Sequence, residues 1–249
     1  MGGDDRARRG RGSIKGSLMP ATRVIILAGG RGTRLPLSAR DIPKSLVEVR
    51  GRPIIAHQLQ QLRRAGFHDR NIRLALGFRA EQIIAFLARA GYGCQYVSEP
   101  EPLGTGGAVA LASRGLEEPF LVLNGDTLAD FDFPAILASH EPPHALLVSH
   151  WKDDARDFGL LDLERGFIRE FLEKPSESRA GYINAGCYLL APEHLEAMAP
   201  GFWMLETELF PRLALEGRLK THVHHGRWDD LGTEERLALA RSAFAARYG

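Results

Sequence analysis

Three glycines in four positions, Gly29, Gly30 and Gly32, follow the apolar run 24–27 and lead into Thr33 and Arg34. Such a turn lets the backbone adopt positive φ and point successive N–H groups at one anion, and Arg34 adds a bidentate cationic donor. Glycines alone would serve an ordinary tight turn equally well; the basic residues favour a triphosphate cradle. The spacing is neither the dinucleotide G-x-G-x-x-G nor a P-loop ending in Gly-Lys-Ser/Thr. Lys44 follows in Pro43-Lys44-Ser45-Leu46, where the proline stiffens the approach and the leucine anchors the far side. A lysine held in this way can neutralise charge building on an α-phosphate as pyrophosphate departs, whereas a solvated lysine cannot. Asp126 ends the run Leu121-Val122-Leu123-Asn124-Gly125-Asp126. A carboxylate at the carboxyl end of a buried strand suits Mg2+, which takes one or two carboxylates and completes its shell with phosphate oxygens.

These residues need a scaffold, and the apolar pattern supplies one. Strand-like runs at 24–27, 72–76, 120–123, 145–148 and 188–190 alternate with helical spacing over 54–65, 80–89, 107–113 and 133–139. That alternation predicts an α/β fold of right-handed βαβ units, with a mostly parallel sheet flanked by helices and ligands at the carboxyl ends of its strands. After about Trp151 shorter candidates, 159–163 and 167–172, suggest a small antiparallel region, and a helix over 233–246 closes the chain. Residues 1–20 are rich in Gly, Arg and Ser without an apolar core, so they are expected to be a disordered basic leader, with Met19 as an alternative start and one domain over 21–249.

Composition narrows the partners. Lys and Arg number 32 against 31 Asp and Glu, and the resulting formal charge of +1 gives no global field to hold a polyanion, so nucleic acid is not an expected partner. No run approaches the roughly 20 apolar residues of a membrane span, so the expectation is a cytoplasmic protein with no membrane partner. Cys94 and Cys187 lack metal-ligand spacing and are expected to be buried free thiols. His222 and His224 would share one face of a strand, but no full tetrahedral set accompanies them, so zinc is not expected. Phe202, Trp203 and Leu205 are expected to be core or lid packing.

Glu99-Pro100-Glu101-Pro102-Leu103-Gly104-Thr105-Gly106-Gly107-Ala108 reads as a loop opening a helix at about Gly107, with Thr105 at the cap. Free N–H groups and glycines there could also let a flat base pack on the backbone. Taken with this loop, the run 27–35 followed by Pro43, Lys44 and Leu46 resembles the signature of the sugar-1-phosphate nucleotidyltransferase family, over about residues 23–240. The resemblance implies a Rossmann-like domain, Mg2+, and in-line attack of a sugar 1-phosphate on the α-phosphorus of a nucleoside triphosphate. It assigns Leu27, Ala28, Gly29, Gly30, Gly32, Thr33, Glu99, Gly104, Gly106 and Asn124 to the nucleotide. Trp228-Asp229-Asp230-Leu231-Gly232-Thr233 is similar to the family's Trp-x-Asp-x-Gly-Thr, which makes Asp230 a second metal ligand beside Asp126; alone, Asp230 could be a favourable charge at a helix N-terminus. Phe171-Leu172-Glu173-Lys174-Pro175 and 182–188 also match, which assigns Gly125, Glu173, Lys174, Asn184 and Gly186 to the sugar phosphate, in the antiparallel sugar-binding region. Arg34, Lys44 and Lys174 are then the catalytic cations.

The base favoured is guanine, because a carboxylate at Glu99 can accept from both N1–H and N2–H, a pairing that uracil and thymine do not offer. The run 99–108 with Asn124-Gly125-Asp126 is similar to the heptose and mannose 1-phosphate guanylyltransferase branch. Uridylyl- and thymidylyltransferases, including those acting on N-acetylmuramate 1-phosphate, share most of these motifs and stay as alternatives, as does a non-catalytic nucleotide-sugar sensor. Nothing after Thr233 is large enough for the C-terminal β-helix of the long GDP-mannose enzymes, which leaves regulation and a homo-oligomer open.

Overall fold

β1 (Arg23–Leu27) is apolar on both faces because both faces are covered. It lies between β4 (Ile72–Leu76) and β6 (Phe120–Asn124), parallel to each, with Ile26 opposite Leu74 and Leu123. Val24 and Ile26 point into one apolar cluster with Ile55 and Leu59 of α1 (Ile54–Arg64). Ile25 points into another, with Val109 and Ala112 of α3 (Gly104–Ala112). The computed structural model describes residues 21–30, 41–172 and 179–248. The expected leader, and with it Gly32, Thr33, Arg34, Glu173 and Lys174, lies outside the described residues.

Between β1 and α1 the chain forms a 3-10 turn at Lys44–Leu46 and a small hairpin of β2 (Glu48–Val49) and β3 (Arg52–Pro53). α2 (Ala80–Ala90) joins β4 to the edge strand β5 (Gln95–Ser98), and α3 returns to β6. Beyond β6 come β7 (Thr127–Ala129), α4 (Phe133–Ala138), β8 (Ala145–Lys152), β9 (Leu160–Glu164), β10 (Phe167–Leu172) and the long β11 (Gly181–Leu190). α5 (Pro192–Leu195), a π-helical turn (Leu205–Leu209), α6 (Phe210–Leu215), β12 (Leu219–His224), β13 (Trp228–Asp230) and α7 (Glu234–Tyr248) complete the chain. No helix among the described residues is long and apolar enough to cross a membrane.

The main sheet has the order β5-β4-β1-β6-β11-β8-β12-β10-β9. β5, β4, β1 and β6 are parallel, β12 is parallel to β8, and the pairings of β11 and β10 with their neighbours are antiparallel. The expected antiparallel region is thus the continuation of the same sheet. β11 inserts between β6 and β8, which sequence spacing did not foretell: a hydrophobic run records burial, not strand direction. β5 was also illegible, because an edge strand that is mostly exposed has no apolar alternation to read.

The strand order reverses at β1, since β4 lies on one side and β6 on the other. A crevice outside the carboxyl ends of the strands is expected at such a reversal. It is kept narrow by backbones that touch. Gly77 and Gly29 approach so closely that a Cβ on Gly77 would lie 2.9 Å from the Gly29 carbonyl, and one on Gly125 would lie 2.3 Å from that of Leu27. The N–H groups of Phe78 and Gly125 donate to those same two carbonyls.

Candidate active site

A cleft of about 580 Å3 opens at this strand reversal. Leu27 of β1 and the following Ala28, Gly29 and Gly30 form its floor with Asn124 of β6 and the following Gly125 and Asp126, and Glu99 and Gly104 stand at one end. Lys44 and Ser45 reach it from the 3-10 turn. Pro43 precedes that turn, and Lys44 is only 8% exposed, so the lysine is held. Its Nζ donates to Oδ2 of Asp126.

Asp230 reaches the same place by a different route. β13 pairs antiparallel with β7, which sets Asp230 opposite Thr127, and the Leu231 N–H donates to the Asp126 carbonyl over 3.0 Å. Trp228 anchors this strand from below: its ring is buried and its Nε1–H donates to the Ala185 carbonyl over 2.8 Å. Asp230 Oδ1 accepts from the Gly232 N–H and Oδ2 accepts from Arg236 of α7 over 3.0 Å. Burial, and then the negative charge of Asp126, push the Asp230 carboxyl above its ordinary value, with Lys44 and Arg236 pulling the other way. Two residues separated by about a hundred positions in sequence therefore share one electrostatic field. Among the described residues no group of three or more His, Cys, Asp and Glu side chains is arranged to hold a metal, so the carboxylates here are a pair. A pair suits a hard cation that draws its other ligands from phosphate and water better than a closed protein cage.

At the other end, Glu99 Oε2 accepts from the Leu103 N–H over 3.0 Å, and Oε1 lies where a Cβ on Gly29 would intrude. Burial pushes this carboxyl up, and the Leu103 hydrogen bond partly offsets it.

The remaining expected site residues divide. Gly104 lines the cleft in a left-handed conformation, φ +71°, with Trp203 at its back. Gly106 does not line it: a Cβ there would lie inside the Trp203 ring, so this glycine makes room for an indole. The helix starts at Gly104, three residues earlier than its spacing suggests, because the Trp203 carbonyl accepts from the N–H groups of Gly106 and Gly107 and replaces a side-chain cap. Thr105 is no cap; its hydroxyl donates to Glu206 over 2.6 Å and accepts from the Leu205 N–H. Asn184 and Gly186 form a bulge in β11 where register with β8 is lost. Asn184 Oδ1 accepts from the Gly186 N–H and its Nδ2 donates to the buried Tyr188 hydroxyl, while Gly186, φ +74°, lies close against Asn124 and Thr127.

Two residues have a place that sequence reasoning missed. Gln58, on the buried face of α1, donates from Nε2 to the carbonyls of Asn124 and Thr127, each over 2.8 Å, and so clamps the turn that carries Asp126. Its amide in an otherwise apolar helix face was the available signal. Glu206 is the other, on the π-helical turn; burial pushes its carboxyl up, and Asp126 adds to the shift. Away from the cleft, Cys187 is buried and Cys94 only partly so, with burial pushing the Cys94 thiol up to about 12. His222 bonds Ser139 and His224 faces Asp130 and the Arg227 carbonyl.

Comparison with known proteins places this geometry. The mannose-1-phosphate guanylyltransferase catalytic subunit beta of Drosophila pseudoobscura pseudoobscura is 36% identical over 231 residues, covering 89% of this chain and 62% of that protein. The mannose-1-phosphate guanyltransferase 2 of Candida glabrata is 36% identical over 220 residues, covering 84% of this chain and 60% of that protein. The chain spans about three fifths of the length of these curated relatives. Among solved structures, HddC from Yersinia pseudotuberculosis complexed with GMP-PN superposes with a TM-score of 0.80 at 30% identity, covering 90% of this chain and 99% of that one. A Bacillus anthracis protein described as a putative glucose-1-phosphate thymidylyltransferase shares the fold, with a TM-score of 0.79 at 24% identity over 92% of this chain and 96% of that one. The model of the nucleotidyl transferase family matches residues 23–246, nearly all of the folded chain, and the protein belongs to that family.

Proposed function

We propose that the chain joins GTP to a sugar 1-phosphate, with mannose 1-phosphate the first candidate, and releases pyrophosphate and a GDP-sugar. The observation that carries this reading is the meeting of Asp126, Asp230 and Lys44 at the edge of a cleft floored by the glycine turn. Family membership and the names of the guanylyltransferase relatives support it.

In this reading the triphosphate lies on the Gly29–Gly30 backbone, with Arg34 on its oxygens. Asp126 and Asp230 are the residues that would hold Mg2+, whose charge would offset that of the phosphates when bound. Two carboxylates, one of them raised by burial and then by the charge of the other, fit such a cation. Lys174 orients the incoming sugar phosphate. One of its oxygens attacks the α-phosphorus, the bond to the bridging oxygen of the pyrophosphate breaks, and that pair of electrons leaves with pyrophosphate. A phosphate monoester dianion is already nucleophilic, so the chain needs no general base and forms no covalent intermediate; positioning and charge stabilisation supply the acceleration. Lys44, freed from Asp126, is close enough to the floor to meet charge growing at the α-phosphate. Glu99 has one oxygen committed to Leu103 and another with which to read guanine.

The decisive assay follows pyrophosphate release while GTP, UTP, dTTP, CTP and ATP are paired with a panel of sugar 1-phosphates. GTP with mannose 1-phosphate or a related sugar is expected to lead, and Asp126→Ala is expected to lose about a hundredfold or more in turnover. Full activity in that variant would reject the metal assignment, and a clear lead for UTP or dTTP would reject the base assignment.

A further inference from the structure

One stretch of the cleft wall has no role in the reaction described above. From Phe202 to Glu206 the side chains alternate: Phe202 is 67% exposed, Met204 and Glu206 are partly buried, and between them Trp203 and Leu205 are fully packed into the core. The alternation is imposed by the neighbouring helix. Trp203 donates its N–H to the Leu103 carbonyl and lays its ring over Gly106, which turns Phe202 and Met204 toward the cleft that both line.

Glu206 adds the polar half. Its Oε2 accepts from the Thr105 hydroxyl over 2.6 Å, and Thr105 is itself fixed by the Leu205 N–H. The Thr105 hydroxyl and the backbone N–H of Glu206 itself take two of the roughly four hydrogen bonds that the Glu206 carboxylate can accept. The carboxylate stands behind Thr105, which lines the cleft, and its charge reaches Asp126 and Tyr188, whose hydroxyl accepts from Asn184. An apolar platform beside a pinned hydroxyl acceptor suits a pyranose, which offers one C–H face and a rim of hydroxyls; a nucleobase has no such rim.

We propose that the Phe202–Glu206 wall selects the sugar, with Phe202 and Met204 covering one face of the ring and Glu206, aimed by Thr105, accepting from its hydroxyls. This rests on the reading of the chain as a sugar-1-phosphate guanylyltransferase and deepens it. The test uses the full chain and the variants Glu206→Gln, Thr105→Val and Phe202→Ala, with GTP, mannose 1-phosphate and its monodeoxy analogues. Glu206→Gln is expected to lower kcat/KM for the parent sugar about tenfold or more while leaving one monodeoxy analogue nearly unaffected, so that discrimination at that hydroxyl collapses. Thr105→Val shifts the same ratio in the same direction. Phe202→Ala, at an exposed position that folding does not need, raises KM for all the sugars several-fold. The calorimetric Kd for GTP stays within about twofold in all three. Equal losses on every analogue in Glu206→Gln, or a GTP Kd that weakens as much as the sugar KM in Phe202→Ala, overturns the proposal. If the wild type makes no nucleotide sugar from any pair, the functional reading falls, and the wall is judged by calorimetric binding of mannose 1-phosphate alone. Weaker binding by Glu206→Gln and Phe202→Ala then sustains it, and binding that is absent or unchanged overturns it.

Discussion

At Asp230, burial and the charge of Asp126 work against the carboxylate that the proposed metal role needs. Its carboxyl is raised by burial and by Asp126, so the folded chain holds the proton more tightly than the unfolded chain does. Stability is therefore reduced above the folded pKa and recovers as pH falls toward the ordinary carboxylate value. In chelator at neutral pH, Asp230→Asn is expected to melt at a higher temperature than wild type, with the gap closing toward mildly acidic pH; a lower Tm for the variant would mean that the Arg236 pairing outweighs the repulsion. Added Mg2+ is expected to raise the Tm of wild type and not that of this variant. Glu99 is tested through the base: Glu99→Gln removes one acceptor, and the ratio of kcat/KM for GTP over UTP is expected to fall about tenfold or more. An unchanged ratio would take base reading away from this residue. The glycine turn, Lys44 and Asp126 could be named from their types and spacing, because a glycine run, a proline-held lysine and a strand-end carboxylate are local patterns, whereas Asp230 and Glu99 were named through the resemblance to family motifs. Gln58 carried only the signal of an amide on an apolar face and Glu206 none, because the partners that give them meaning are 66 and 101 residues away.

At the scale of elements, the helix α3 and the segment after Gly201 act as one unit. Trp203 bonds Leu103, Gly106 and Gly107 through its backbone and covers Gly106 with its ring, so the glycine there is a steric requirement of packing. Gly106→Ala is expected to cost about 1–3 kcal/mol, read as a lower midpoint in urea, because the new methyl must displace the buried Trp203 ring. A neutral substitution would show that the indole can move aside. The bulge at Gly186 is a second joint, where a positive φ and a close approach to Asn124 bend β11 beside the end of β6. Helix boundaries were legible to within a few residues where amphipathic spacing marks them, as in α1 and α2. α3 began earlier than expected because its cap is another segment's carbonyl, which no local spacing announces.

Across the whole molecule, one sheet is packed on both faces, and a third, smaller apolar cluster lies under the site. In it Val47, Val49 and Ile54, just after Lys44, meet Leu128, Leu231, Leu237 and Ala240. This cluster joins the arm that carries Lys44 to the arm that carries Asp230. Leu237→Ala is expected to cost about 2–5 kcal/mol and to weaken Mg2+ binding as well, with denaturant unfolding remaining a single transition. Two separate transitions would show that this corner melts on its own. The sequence by itself determined the α/β class, the positions of most strands and helices, and the residue types able to bind phosphate and metal, because each is written in short-range periodicity or local chemistry. The tertiary structure alone decided that β11 runs against its neighbours, that Asp126 and Asp230 share a field, and that a wall of alternating side chains faces the cleft. Those features depend on which surfaces are buried against which, and burial pairs residues by complementary shape and charge over distances that no local pattern records.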